Sequence, residues 1–385
     1  MALAEKYDRC DVVADRYFKD SLKEGTRDKR GNDGSTLNFT GDSLFPSNFK
    51  DFLSNSANKN KLNELLAQIL INVHDSSSSQ LTLVVTYENK ILTNNTSLLD
   101  QQDISDCSAE EADPRIIRHA INLARNGFED ITIRTVDSDV LVLSLANLHK
   151  LIENGSRNIF TQIVKSNGTE EFDLIELYNT HGADVCMALP FFHTYTGCHT
   201  SSSFFGKGKT SFWDAWMRYP KKDELTNIFI DLSFLPNEIT NNNKKILEDF
   251  LIYVYHGSNH RFTDINDARI VSFFQSADPK LRETILSSDA HLEHTKRSAY
   301  QSGWLWAECV ANINLPNPLL WGWKMNPQNT DKYLPLWEST STSSRIEVVL
   351  TTCGCKTDSC KNCECGTLGE KCLTFCKCQR KCKNT

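Results

Sequence analysis

The chain has 385 residues, of which 39% are hydrophobic and 24% charged, a composition typical of packed globular domains. Its formal net charge of −7 argues against non-specific binding of nucleic acid by the molecule as a whole. The lack of an apolar run of roughly 18 residues and of a signal-peptide core argues against a membrane partner and predicts an intracellular location, with the nucleus as one candidate compartment.

The first two thirds of the chain alternate between strand-like and helix-like patterns. The predicted elements are a strand at 11–18, a basic stretch and loop up to 43, an amphipathic helix at 58–74, two strands around a turn at 80–94, a helix at 113–127, a strand at 131–136, a β-rich stretch at 158–175 and a helix at 174–190. This alternation predicts an α/β fold, with a parallel sheet flanked by helices. Residues 235–335 are predicted to be mostly helical.

The helix at 113–127 has the clearest boundary signals. Apolar residues recur at helical spacing along it. Asp113 fits the N-cap and Pro114 the first helical position, while Gly127 fits the C-terminal stop.

Acidic residues mark three transitions between predicted elements. Asp15 follows the first strand, Glu111 and Asp113 open the helix, and Asp137 and Asp139 follow the strand at 131–136. Functional groups gather outside the carboxyl ends of strands in open α/β sheets. Carboxylates that converge there repel one another unless a hard cation such as Mg²⁺ or Mn²⁺ binds between them.

Each acid also has an ordinary structural explanation. Asp113 could serve only as a helix cap, and Asp137 and Asp139 could cap the next element. Asp15 could pair with Arg16 or Lys19. The combination and spacing of the acids, rather than any one of them, favour a metal site.

Three stretches resemble a known family. "EADPRIIRHAINLARNGFEDITIRTVDSDVLVL" (111–143) resembles the middle of the PIN-like nuclease domain of flap endonucleases, where a helix opens with two acids and a later strand leads into D-x-D. "VVADRYFKDSLKEGTRDKR" (12–30) resembles that family's strand ending in Asp and the basic segment after it. "GADVCMALPFFHTYTGCHTSSSFFGKGKTSFWDAW" (182–216) resembles its apolar helix and the glycine-containing turn that grips duplex backbone. Over roughly residues 10–220 and the tail, the chain resembles a group of animal proteins, associated with mobile elements, that join such a domain to a cysteine-rich CXC tail.

The resemblance implies a Rossmann-like PIN fold and a set of functional residues. It implies carboxylate ligands for Mg²⁺ or Mn²⁺ at Asp15, Glu111, Asp113, Asp137 and Asp139. It implies phosphate contacts, and therefore a DNA partner, at Lys23, Arg27, Arg30, Lys207 and Lys209, although "GKGK" could equally be an exposed turn. If active, the protein would be a structure-specific nuclease that hydrolyses phosphodiesters, with Asp15, Glu111 and Asp113 on one ion and Asp137 and Asp139 on another.

Two features depart from the family pattern. His199 stands where the pattern has Asp in T-G-C-D, and imidazole is a poor ligand for Mg²⁺ although Mn²⁺ and Zn²⁺ accept it. The family's first strand, with its own metal-binding Asp, would precede residue 10, where nine residues are present. These departures keep a second hypothesis open: a catalytically inactive, mobile-element-derived protein that binds nucleic acid or protein.

Nine of the fourteen cysteines fall in the C-terminal tail. They are Cys353, Cys355, Cys360, Cys363, Cys365, Cys372, Cys376, Cys378 and Cys382. An odd number with adjacent C-x-C pairs suits thiolate ligation of Zn²⁺ better than disulfides, and nine thiolates can hold three tetrahedral ions if three of them bridge. The pattern is similar to that of tesmin/TSO1-like CXC domains and pre-SET domains. A metal-scavenging or disordered tail is the alternative.

The tail carries only a weak electrostatic signal for DNA. Residues 345–385 contain eight Lys or Arg and four Asp or Glu, and three zinc ions on nine thiolates offset most of that excess. DNA-reading CXC domains have a tyrosine before the second C-x-C, where this chain has Asn362. DNA binding, protein docking and a purely structural role therefore stay open for the tail.

The predicted organisation has four parts. A PIN-like domain without its first strand covers 1–225, a helical accessory region 226–337, a linker 338–350 and the zinc-binding CXC tail 351–385. A third hypothesis is an α/β domain of unrelated function with ordinary helix caps. It would require the five acids to point in separate directions.

Overall fold

A computed structural model of the protein describes most of the chain. The described residues are 7–17, 22, 35–44, 46–75, 80–95, 104, 107–258, 262, 264–275, 286–337, 364–367, 372 and 376. The chain divides into two compact units. The first comprises Met1–Ser202, Lys221–Ile239 and Thr295–Pro335, and the second comprises Ser203–Pro220, Thr240–His294 and Leu336–Thr385.

One three-stranded sheet of the first unit contains β1 (Arg9–Val13), β2 (Thr82–Tyr87) and β3 (Lys90–Thr93). β1 pairs with β2 in parallel, and β3 returns antiparallel to β2. All six residues of β2, four of which are β-branched, are buried, as expected for a central strand. Helix α1 (Phe49–Phe52) precedes the long helix α2 (Ser56–Asp75), which packs on β2.

A second three-stranded sheet contains β4 (Asp130–Thr135), β5 (Asn158–Lys165) and β6 (Gly168–Asp173). β4 and β5 are parallel, whereas β6 is antiparallel to β5. The helices around this sheet are α3 (Ala112–Arg125), α4 (Ser138–Ala146), α5 (Leu148–Glu153), α6 (Leu174–His181) and α7 (Ala183–Tyr195). They enclose a core that includes Ile117, Ile131, Leu143 and Trp306. Burying each such aliphatic side chain stabilises the unit by about 2 kcal/mol.

The α/β prediction is confirmed, and the predicted parallel pairing is present between β1 and β2 and between β4 and β5, but the strands form two small mixed sheets rather than one parallel sheet. Both described sheets are mixed because β2–β3 and β5–β6 are joined by turns of two residues, Glu88–Asn89 and Ser166–Asn167, and such short turns can join only antiparallel neighbours. Two boundaries also differ from the sequence prediction. β1 ends at Val13, and α3 begins at Ala112, so Glu111 occupies the N-cap position and Asp113 lies in the first turn. The predicted helix at 174–190 is two helices that separate at Gly182, where φ is 87°.

The C-terminal half is mainly helical, as predicted, but ends the first unit with a hairpin. Its elements are α8 (Lys209–Arg218), α9 (Lys222–Ser233), α10 (Asn241–His256), α11 (Ile265–Gln275), α12 (Ser288–Tyr300), a π-helical turn (Gln301–Leu305), 3₁₀ turns (Trp306–Cys309 and Pro318–Leu320), the strands β7 (Trp323–Asn326) and β8 (Asn329–Pro335), and α13 (Glu364–Thr367). Helix α9 packs on α7 within the first unit. In the second unit, α8 and α10 meet through Phe212 and Phe250, whose ring centroids lie 5.9 Å apart. None of the helices in the described ranges has the length and apolar content needed to cross a bilayer.

Candidate metal-binding cleft

A cleft of about 600 Å³ opens in the first unit where β1 and β4 end and α3 begins. Four of the five predicted acids line it: Asp15, Glu111, Asp113 and Asp137. The fifth, Asp139, is buried beside them, with 8% of its surface exposed. The structure therefore brings together carboxylates that are far apart in the sequence, at the carboxyl ends of two strands and the N-terminus of a helix.

Three of the acids form the tightest group. Asp113, Asp137 and Asp139 each offer an oxygen atom, and these atoms lie within 4.8 Å of one another. This grouping differs from the predicted division between two ions, which joined Asp113 to Asp15 and Glu111. Like charges at such distances repel one another, and a divalent cation bound between them would offset that repulsion.

Local hydrogen bonds orient this three-acid group. Asp137 is the N-cap of α4, and its Oδ1 accepts from the backbone N–H of Asp139 at 3.0 Å. The backbone N–H of Asp137 donates to Oγ1 of Thr135, also at 3.0 Å. Oδ1 of Asp139 lies 2.9 Å from Nε2 of His193 on α7. The strand-to-helix turn and α7 therefore fix two of the three carboxylates.

Asp15 and Glu111 are held by other parts of the first unit. Oδ1 of Asp15 accepts from the backbone N–H of Ala112 at 2.7 Å, which ties the end of β1 to the start of α3. Oε2 of Glu111 accepts from Nε2 of Gln301 at 3.2 Å and from the indole N–H of Trp306 at 3.0 Å. Oδ2 of Asp15 also accepts from the Tyr17 hydroxyl at 3.2 Å, so both oxygens of Asp15 and Oε2 of Glu111 are engaged by the protein.

A close backbone approach positions Gln301 and Trp306. Gly303 lies in the π-helical turn between them, and a Cβ at this position would be 2.3 Å from Cδ of Pro236 and 2.8 Å from the carbonyl oxygen of Leu232. Glycine is required because no side chain fits there. Sequence analysis missed Gln301, Trp306 and His193, since neither spacing nor periodicity marks them.

Basic side chains share the cleft with the acids. Arg16, Arg134 and His199 all line it. Arg134 donates to Oε1 of Gln162 at 3.0 Å, and His199 is exposed. His199 thus lies at the cleft wall, where the family pattern has an aspartate. The cleft can present positive charge to an anionic group beside its carboxylates.

The predicted phosphate-contact residues fall into two sets. Lys23, Arg27 and Arg30 lie outside the described residues. Lys207 and Lys209 belong to the second unit, where "FFGKGK" forms a turn with Gly206 at a φ of 66° and α8 starts at Lys209. Nζ of Lys207 lies 5.5 Å from the ring centroid of Tyr255, whose hydroxyl donates to the Phe205 carbonyl at 2.7 Å.

Three cysteines of the tail form a second ligand group. The sulfur atoms of Cys365, Cys372 and Cys376 lie within 4.8 Å of one another, and all three side chains are buried. Sγ of Cys365 is 3.7 Å from Sγ of Cys376, which is far longer than a disulfide bond. It matches the roughly 3.8 Å between two thiolates at tetrahedral zinc. The other six tail cysteines, Cys353, Cys355, Cys360, Cys363, Cys378 and Cys382, lie outside the described residues.

Comparison with known proteins gives no match, whether to family models, to curated proteins or to solved structures. The resemblances to flap endonucleases and to CXC domains therefore rest on the sequence motifs. The chemistry of the cleft has to be argued from its own residues.

Proposed function

We propose that the cleft binds Mg²⁺ or Mn²⁺ and hydrolyses phosphodiester bonds of DNA, as a PIN-like, flap-endonuclease-related nuclease. The observation that carries the proposal is the convergence of Asp113, Asp137 and Asp139 on one position. The donor set suits a hard cation, because it consists of carboxylate oxygens with neither thiolate nor thioether among them.

The residues of the cleft take distinct roles in this proposal. Asp113, Asp137 and Asp139 would hold the cation, which when bound lowers the pKa of a water molecule and neutralises phosphate charge. His193 holds Asp139 in place through Nε2, while Gln301 and Trp306 orient Glu111. Arg16 and Arg134 would contact the phosphate, since guanidinium groups match its geometry.

For the tail we propose structural zinc. The three buried sulfurs support thiolate ligation, and the nine-cysteine spacing supports up to three ions. We propose that the turn at Lys207 and Lys209 contacts DNA backbone, and that Lys23, Arg27 and Arg30 also contact phosphates.

Cleavage assays with the full chain test the nuclease proposal. Flap, hairpin and single-stranded DNA are incubated with Mg²⁺ and separately with Mn²⁺, with wild type and with Asp137→Asn and Asp139→Asn. Both substitutions should abolish cleavage. Asp231→Asn, which removes an exposed acid of α9 that does not line the cleft, is the matched control and should cleave like wild type.

Metal binding has a readout independent of activity. Trp306 donates to Glu111 at the cleft, so excitation of tryptophan should sensitise the luminescence of Tb³⁺ bound there, and Asp139→Asn should weaken that signal. Cleavage that persists in Asp137→Asn and Asp139→Asn would contradict the assignment of these acids. An absence of both cleavage and Tb³⁺ binding in the wild type would refute the proposal as a whole.

A second candidate function is a non-hydrolytic binding protein. Two observations favour it: His199 occupies the position of a family aspartate, and both Asp15 and Glu111 are engaged by other parts of the first unit. In this case the cleft would bind a cation, and the protein would bind DNA, without cleavage in either Mg²⁺ or Mn²⁺.

A further inference from the structure

The first unit contains a second cavity of about 440 Å³ that belongs to neither the acid cleft nor the tail. It lies among α4, α5, the end of α9 and residues 302–314. Its walls are mainly apolar and include Leu143, Pro190, Phe234, Leu235, Trp304 and Trp306. The volume is within the range of pockets that bind small molecules, roughly 300–1,000 Å³.

Lys150 is the sole charged residue among those that line this cavity. Its Nζ donates to Oδ1 of Asn147 at 2.7 Å and lies 6.0 Å from the ring centroid of Phe234. Within the described part of the chain, no carboxylate lies within the 4.0 Å of an ion pair with it, and its neighbour Glu153 is exposed. Burial lowers the pKa of Lys150, which agrees with a partly desolvated ammonium group that retains unused donor capacity.

Three of the other polar groups at the walls are engaged within the fold or uncharged. Ser233 donates to the Phe229 carbonyl and accepts from the backbone N–H of Phe191. Ser302 donates to the carbonyl of Leu232 at 3.0 Å, and burial raises the pKa of the Cys309 thiol, which is therefore neutral. The cavity thus combines apolar walls with a single cation.

We infer that this cavity is a binding site for a small carboxylate with an apolar body, which pairs its carboxylate with Lys150. Charge complementarity favours this ligand, because the ammonium group is already partly removed from water, so that an anionic ligand supplies a partner at a reduced further desolvation cost. A monoanion fits better than a phosphate, because one cation cannot neutralise a dianion. The walls around Trp304 and Trp306 would bury the apolar part of the ligand.

Octanoate and the uncharged octanol, which share an alkyl chain, serve as the probes. Binding to the full chain is followed by tryptophan fluorescence, because two tryptophans line the cavity, and by the shift in Tm. Octanoate should bind at least about tenfold more tightly than octanol, since a hydrogen bond to a charged group contributes that much. Lys150→Met should abolish the difference while leaving octanol binding intact.

Two further variants make the test specific. Lys165→Met removes a lysine of β5 that pairs with Glu170 and does not line the cavity, so it should keep the preference for octanoate. Ala311→Trp places a bulky group at an exposed position of the cavity wall and should weaken both probes without unfolding the protein. Equal binding of octanoate and octanol to wild type would overturn the inference. So would an octanoate preference that survives in a folded Lys150→Met, or probe binding unchanged in Ala311→Trp.

Discussion

The acid cleft is built on regular elements of the first unit, whereas the cysteine group belongs to a tail of which the structure describes residues 364–367, 372 and 376. Asp137 caps a helix, Asp139 is buried against His193 and Glu111 is held by Gln301 and Trp306. The described part of the tail contains one four-residue helix, α13, beside three buried cysteines. Both groups bring potential metal ligands within 4.8 Å of one another. A packed core can hold ligands at such distances without metal, whereas we propose that the fold of the tail depends on zinc.

Removal of metal should produce the largest difference between the two regions. A zinc chelator is expected to unfold the tail, because structural zinc supplies an apparent binding free energy of about 10 kcal/mol or more, while the first unit stays folded. Limited proteolysis and zinc analysis of the full chain measure this. Cys365→Ser and Cys372→Ser should lower the zinc content, whereas Cys198→Ser, in the first unit, should not. A tail that remains protease-resistant without zinc would contradict the comparison.

A substitution that damages packing should destabilise the first unit and leave the tail unchanged. Gly303→Ala is expected to destabilise the first unit by about 1–3 kcal/mol, because its Cβ would collide with Pro236 and the Leu232 carbonyl. The displaced π-helical turn should also weaken Tb³⁺ binding at the cleft, while the zinc content of the tail stays unchanged. Denaturant unfolding measures the first effect, and Gly41→Ala, where a Cβ meets nothing within 4 Å, is the control. A wild-type stability for Gly303→Ala would show that the turn is not tightly packed.

A fall in pH should destabilise the first unit and weaken zinc binding by the tail, and different groups take up the protons in each region. In the first unit, His119 Nδ1 lies 2.6 Å from Asp11 Oδ2, and Arg9 donates to both oxygens of Asp11. Burial lowers the pKa of His119. Burial opposes ionisation of Asp11 too, but hydrogen bonds from His119 and Arg9 outweigh it and lower the pKa of this carboxyl.

Because the pKa of His119 is lower in the folded state, the unfolded chain binds its proton first as the pH falls below about 6.5. The free energy of unfolding should therefore decrease by up to about 1.4 kcal/mol per pH unit below that value, and Asp11 should add to the loss below about pH 4. Unfolding of His119→Gln at pH 7.5 and 5 should show a smaller decrease than wild type. His199→Gln, at an exposed position, should behave like wild type. In the tail, protons compete with zinc for thiolates, so zinc release with falling pH should be the same in both variants.

The smallest effect concerns charge in the metal-free cleft. Asp137→Asn keeps an N-cap side chain, since Asn and Asp cap helices equally well, but removes one negative charge from the three-acid group. Without metal, the first unit should be unchanged or more stable by roughly 0.5 kcal/mol, although Tb³⁺ binding falls. A clear loss of stability would mean that the carboxylate of Asp137 stabilises the fold directly. The cleft would then differ less from the tail than we propose.

Sequence patterns predicted those features that depend on local spacing. The apolar stripe of α3, the turns at Glu88–Asn89 and at Gly127, and the helix at 56–75 follow from periodicity and from glycine or turn residues. The parallel pairing was predicted in part, because the α/β alternation indicates the parallel pairs β1–β2 and β4–β5, whereas the antiparallel edge strands follow from two-residue connections. The start of α3 was two residues off, because Asp113 and Pro114 carry the N-cap and first-turn signals, whereas Glu111 occupies the N-cap without a side-chain hydrogen bond to the helix.

By itself, the sequence determined that acids lie at the ends of β1 and β4 and at the start of α3, and that cysteines with metal-ligand spacing fill the tail. Only the tertiary structure decided that Asp113 joins Asp137 and Asp139, that Gln301, Trp306 and His193 hold the acids, and that Lys150 faces an apolar cavity. The physical reason is that the near neighbours of a residue in sequence decide whether it lies in a helix, a strand or a turn. Which distant side chains it meets depends on how whole elements pack, and no local period encodes that.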